Sequence, residues 1–262
     1  MPTLRRLALQ WLLCTDPGAK ARGVRGVAAH GPIGADEALA EAPGIPGRPA
    51  RPRLVPHTQL KSRSVHSRDG RAALLHSLAH IELNAIDLAL DIVWRFPGQP
   101  DDFYRQWWGV AREEALHFEL LRDHLATLGH AYGDFDAHDG LWQMAQRTRA
   151  DLLARLALVP RTLEARGLDA SPAVKAKLLA AGDLRGGEIL DIILRDEIGH
   201  VAVGNRWYRW LCAQRGLDPL ATYAALAREH GAPRLRGPFN LEARRAAGFD
   251  EAELAALGTI AP

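Results

Sequence analysis

Apolar positions recur at three- and four-residue spacing over long stretches of the chain, and no stretch alternates as a half-buried strand does. The pattern predicts an all-α protein. The longest runs predict four helices. The first spans about Ser67 to Arg95 and closes at Phe96-Pro97-Gly98; the second spans about Asp101 to Leu128 and stops at Gly129. The third covers about His138 to Arg166, with Pro160 expected to kink or break it, and the fourth covers about Leu184 to Gln214, ending at Gly216. Ser171-Pro172 reads as an N-cap and first-turn proline opening a short segment to about Ala181. Four long helices with short links are the pattern of a bundle.

The flanks read differently. Leu4 to Leu13 predicts a short helix, Asp16-Pro17 caps a second, and a third is expected over about Asp36 to Glu41. The prolines at 43, 46, 49, 52 and 56 forbid a regular helix and predict an extended arm. After the fourth long helix, Gly237-Pro238-Phe239-Asn240 predicts a turn and a cap. Asp250 and Glu253 form a capping box, with Phe249 and Leu254 as its staple. Three parts follow: residues 1–66 as small helices and arm, 67–215 as a four-helix bundle, and 216–262 as a turn and short helices.

Composition changes this picture little. The chain has 262 residues, 47% hydrophobic and 24% charged, with a formal net charge of +2, so nothing in the totals demands nucleic acid or membrane. Cys14 and Cys212 fall in no metal or redox spacing and suit a reducing compartment. Arg5-Arg6 before Leu7-Ala-Leu-Gln-Trp-Leu-Leu imitates an export signal. The apolar run is short and broken by Gln10, however, and predicts an amphipathic helix in a cytoplasmic protein. The arm and its continuation carry Arg48, Arg51, Arg53, Lys61, Arg63, Arg68 and Arg71 against Asp69 alone. That is either a phosphate or RNA contact or a solvated basic strap, and no aromatic platform interleaves it.

The candidate chemistry rests on a spacing that occurs twice. Glu114 with His117 and Glu197 with His200 are the chain's Glu-x-x-His pairs, and residues three apart share a helix face. The pairs stand 83 residues apart, and Glu82 and Glu164 stand 82 apart, so the second half of the bundle echoes the first. Glu82 continues the face of Leu75, Ala79, Ile86 and Val93; Glu114 and His117 that of Trp107, Val110, Phe118 and Leu121; Glu197 and His200 that of Leu190, Ile193 and Val201. Acids on apolar seams must be neutralised, paired or bound to metal. Glu164 is the only Glu between Glu119 and Glu188 and falls where the half-repeat predicts one, one turn after Pro160.

Four carboxylates and two imidazoles without thiolate suit two iron ions, or manganese, better than zinc. One Glu from each of two helices and Glu-x-x-His from the other two is the arrangement of ferritin-like di-metal bundles. Glu113 and Asp196 precede the paired glutamates. Asp196 is expected to reach His117 across the bundle and Glu113 to serve His200, with solvated helix charges as the alternative. His76 and His80 are expected at capping or surface positions, because His80 lies about 200° round the helix from Glu82. The tryptophans at 107, 108, 207 and 210 read as packing. Tyr208 continues the face of Glu197 as a pocket wall or hydrogen-bond donor.

At these six positions the chain resembles the ferritin-like di-iron carboxylate superfamily, over about residues 67–215. Pro46-Gly-Arg-Pro-Ala-Arg-Pro, Leu78-Ala-His-Ile-Glu-Leu-Asn-Ala-Ile, Leu163-Glu-Ala-Arg-Gly-Leu-Asp and Gly237-Pro-Phe-Asn-Leu-Glu-Ala-Arg look like a narrower bacterial ferritin-like family of unknown function. The bacterial tRNA hydroxylase family is more distantly similar. The resemblance implies the fold and a di-metal centre. From the donor chemistry, the first expectation is an oxygen-dependent oxidoreductase. It would act with dioxygen, and with an external electron donor, on an unknown small-molecule or RNA substrate. The alternatives are ferroxidase, metal-handling or peroxide-scavenging activity, or a nucleic-acid-binding module with a structural metal.

Overall fold

The computed structural model describes residues 2–258, and the described residues form helices joined by turns, with one isolated bridge between Leu54 and Ala137. The fold is all-α, as the periodicity predicts. The chain divides into two compact units, one of Met1–Trp142 with Leu178–Ile189, the other of Gln143–Lys177 with Leu190–Pro262.

The first unit is organised by α3 (Arg68–Arg95) and α4 (Asp101–Thr127), an antiparallel pair packed along its length. The Ser67 side chain accepts the Gly70 N–H and opens α3. Gly129, at φ +75°, ends the turn after α4. Helix α1 (Leu4–Leu12) packs on α3, and α2 (Pro17–Gly26), capped by Asp16, packs on α4. Gly23 lets α2 lie against Trp11, since a Cβ there would stand 2.1 Å from the indole. The helix expected over Asp36 to Glu41 does not form. The buried Arg5 guanidinium collects the carbonyls of Gly34 (3.0 Å), Ala35 (3.2 Å) and Glu37 (2.6 Å), and so holds this segment open as a turn.

The proline arm is non-helical up to a single 3-10 turn at His57–Gln59. Two of its arginines have acidic partners that lie far off in sequence. Arg53 pairs with Asp136 through two bonds of 3.1 and 2.7 Å, and Arg48 pairs with Asp139. The Lys20 ammonium, by contrast buried, meets Asp87 and the Gly47 carbonyl. His76 and His80 are buried rather than at the surface. His76 Nε2 accepts the Gly133 N–H at 2.9 Å, and His80 reaches the Tyr132 hydroxyl at 2.8 Å and the His138 carbonyl at 3.1 Å.

The third expected helix is broken twice. After α5 (Gly140–Arg147) a turn leads to α6 (Leu152–Leu158), which Asp151 caps by accepting the Leu153 N–H. A π-helical segment, Val159–Glu164, then follows at Pro160 and ends on Glu164. Pro160 has no N–H to donate, and Thr162 Oγ1 takes the Ala157 carbonyl at 2.9 Å. Gly204 of α8 accommodates this segment, because a Cβ there would lie 2.6 Å from the Pro160 ring.

Ser171-Pro172 does not begin a helix. Helix α7 (Ala165–Ala180) runs through it, with the Ser171 hydroxyl turned back onto the Gly167 carbonyl. Pro172 leaves the Leu168 carbonyl without its helical donor, and Asn240 Nδ2 supplies one at 3.2 Å. Helix α8 (Leu184–Gln214) has its predicted bounds, and Asp183 caps it while pairing with His124 at 2.8 Å. In the tail, α9 (Pro219–Glu229) forms behind the Asp218 cap, α10 (Leu241–Ala246) behind Asn240, and α11 (Glu251–Ala255) behind the Asp250–Glu253 capping box. Phe249 and Leu254 join Leu168, Val201 and Ala247 in one core cluster. No helix among the described residues is long and apolar enough to cross a membrane.

Candidate metal centre

Helix α3 buries three acids, Glu82, Asp87 and Asp91, and their surroundings differ. Asp87 meets Lys20, and Asp91 is held by the Arg95 guanidinium through contacts of 2.8 to 3.1 Å. Glu82 has no arginine or lysine against it among the described residues. Its neighbours are His117, with Nδ1 at 3.2 Å from Glu82 Oε2, and Glu114 of α4. His117 Nδ1 also lies 3.4 Å from Glu114 Oε2. The three side chains are 4%, 1% and 0% exposed, and each offers a ligand atom within 4.8 Å of the others.

The helices set this geometry. Glu114 and His117 are one turn apart on α4, and Ala111, Ala115, Phe118 and Leu121 seal them from water. Glu82 sits among Ala79, Leu83 and Ile86 on α3. Burial, and secondly the charge of Glu114, push the Glu82 carboxyl well above the usual carboxylate range. Two acids and one imidazole packed together in a dry seam have their charge balanced by a proton or by a cation. Two hard oxygen donors and a borderline nitrogen fit a divalent first-row metal, and neither cysteine belongs to the group.

In the second unit, Glu197 and His200 lie on one face of α8, buried at 7% and 1% exposure, with His200 Nδ1 3.8 Å from Glu197 Oε1. Glu164 is half-buried at the end of the π-helical segment. Asp196 accepts two bonds from the neighbouring Arg195, at 2.8 and 3.1 Å, and Glu113 is exposed. The Tyr208 hydroxyl donates to the Pro219 carbonyl at 2.8 Å. The Arg161 guanidinium covers its ring at 4.1 Å, and burial raises its pKa. Sequence reasoning passed over Arg161 and Arg244, both buried on this unit. No short motif marks them, because their surroundings come from the tail folding back.

No solved structure matches the chain. An uncharacterized protein of Haemophilus influenzae is 48% identical over 213 residues, covering 79% of this chain and 74% of the relative. The family described as protein of unknown function (DUF455) matches residues 13–255, and the chain belongs to that family.

Proposed function

We propose that the protein is a ferritin-like di-metal carboxylate protein, with iron as the metal, acting as an oxygen-dependent oxidoreductase. The observation that carries this reading is the buried Glu82–Glu114–His117 group, two carboxylates and an imidazole with ligand atoms within 4.8 Å of one another. Glu82, Glu114 and His117 would hold one ion, and Glu164, Glu197 and His200, repeating the same residue types 82 and 83 residues later, would complete the centre. Four glutamates would offset the charge of two divalent ions, so the filled centre adds no net charge to the interior. Bound iron would supply electrons for reducing dioxygen, and the oxidation of a substrate would be coupled to that reduction.

The chain's own residues bind and orient. The i, i+3 spacing fixes one carboxylate and one imidazole per helix turn, and the apolar seam around them excludes bulk water. Asp196 would steady a ligand histidine through its second ring nitrogen.

The reading is tested by oxygen consumption after anaerobic ferrous loading, with ascorbate as reductant. The native chain should consume dioxygen, and Glu114→Ala and chelator-treated protein should not. Equal consumption by all three would sink the oxidoreductase reading. Stoichiometric iron binding without oxygen consumption would instead favour metal handling.

A further inference from the structure

The second unit buries two arginines that the metal reading leaves without a role. Arg161, on the π-helical segment, is 3% exposed; Arg244, on α10, is fully buried. Arg161 Nη2 donates to Glu253 Oε1, and its Nε and Nη1 are buried with no hydrogen-bond partner among the described residues. Arg244 gives Nε and Nη2 to Asp169 at 3.0 and 2.6 Å, and its Nη1 is likewise buried and unpartnered. Each guanidinium carbon lies 5.3 Å from the centroid of the same Phe249 ring.

The charges around them balance only when the exposed Asp250 is counted. Asp169 is engaged by Arg244, and Glu253 is shared between Arg161 and Arg209. Asp250, exposed at the rim, touches only Arg209 of the three, at 3.4 Å. Both buried arginines line one opening, whose other walls include Leu220, Tyr223, Ala232 and Leu235. Buried guanidinium nitrogens without acceptors are costly to keep, and a carboxylate or phosphate is the group whose oxygens fit them.

We propose that this pocket binds a small organic oxyanion, a carboxylate or phosphate ester. Its head would meet the Arg161 and Arg244 guanidiniums where they line the opening, and its apolar body would rest on the Leu220–Tyr223 wall. A purely inorganic ion would leave that wall unused, so the body contributes to affinity as well as the head. Every residue of the pocket belongs to the second unit, and the proposal stands apart from the metal reading.

Calorimetric titration of the full chain in chelator, with benzoate, phenyl phosphate and the neutral benzamide, tests it. One of the two anions should bind at least about tenfold more tightly than benzamide, and which one identifies the head group. Arg161→Met, which removes the donors, and Ala232→Phe, which fills the opening and keeps the charges, should each weaken that anion by at least about tenfold. The proposal is overturned if neither anion exceeds benzamide, or if folded Ala232→Phe protein binds as the native chain does.

Discussion

Helix α3 carries two kinds of buried acid within a few turns. Asp87 and Asp91 each meet a cation that the chain itself provides, Lys20 and Arg95. Glu82 meets a second acid and an imidazole instead. The helix, the burial and the residue class are alike, so the difference lies in what faces them. Where the fold needs only a satisfied interior, α2 brings a lysine of its own. Where it gathers Glu82, Glu114 and His117, two carboxylates and an imidazole share one buried cluster.

Substitutions that exchange the two situations should separate them. Lys20→Met strands Asp87, whose carboxyl burial already pushes up to about 6. It should cost about 3–5 kcal/mol in denaturant unfolding and leave metal uptake unchanged in whatever protein remains folded. Glu82→Gln in chelator-treated protein should change stability by less than about 1 kcal/mol, since it removes a like-charge neighbour of Glu114. A loss as large as that of Lys20→Met would make Glu82 an ordinary structural acid.

Next in size is a pH effect on the same helix but away from these acids. Burial lowers His76 to about 4 from its ordinary 6.5. The unfolded chain therefore takes up this proton first as the pH falls, so the contribution is complete above about 6.5 and is lost on descending toward about 4. It amounts to about 3 kcal/mol at most. His76→Gln, which keeps an acceptor for Gly133 but cannot titrate, should flatten the acid limb of the stability curve by one proton. An unaltered limb would assign that limb to other groups.

Metal linkage comes third. Manganous ion at a hundred times its dissociation constant should stabilise the native chain by about 2.7 kcal/mol, read as a rise in Tm. Glu114→Ala should show no rise, and Glu82→Gln a reduced one. The smallest effect tests the tail: Asn240→Ala removes both the α10 cap and the donor to the Leu168 carbonyl, and should cost about 1–2 kcal/mol with metal binding intact.

The parts of this picture that were legible in the sequence are those set by short-range spacing. The bounds of α3, α4 and α8, the Asp16 and Asn240 caps, the capping box at Asp250 and the disturbance at Pro160 all follow from local chemistry. So does the pairing of Glu114 with His117 on one face. What escaped depends on distant partners. Pro172 stays inside α7 because Asn240 serves the carbonyl it orphans, and the Asp36 segment stays open because Arg5 claims its carbonyls. His76 and His80 are covered by residues more than fifty positions later, and the basic arm finds Asp136 and Asp139. Helix α9 is a different case, since Asp218-Pro219 is the same signal as Asp16-Pro17 and was readable. The buried arginine pocket had no local signature at all.

The central claim is that Glu82, Glu114 and His117 are metal ligands. Anaerobic titration of chelator-treated protein with ferrous ion, followed by metal analysis after desalting, tests it most directly. The account predicts saturable uptake of about two ions per chain, lost in Glu114→Ala and kept in Asn240→Ala. No saturable uptake, or uptake that Glu114→Ala leaves unchanged, would contradict it.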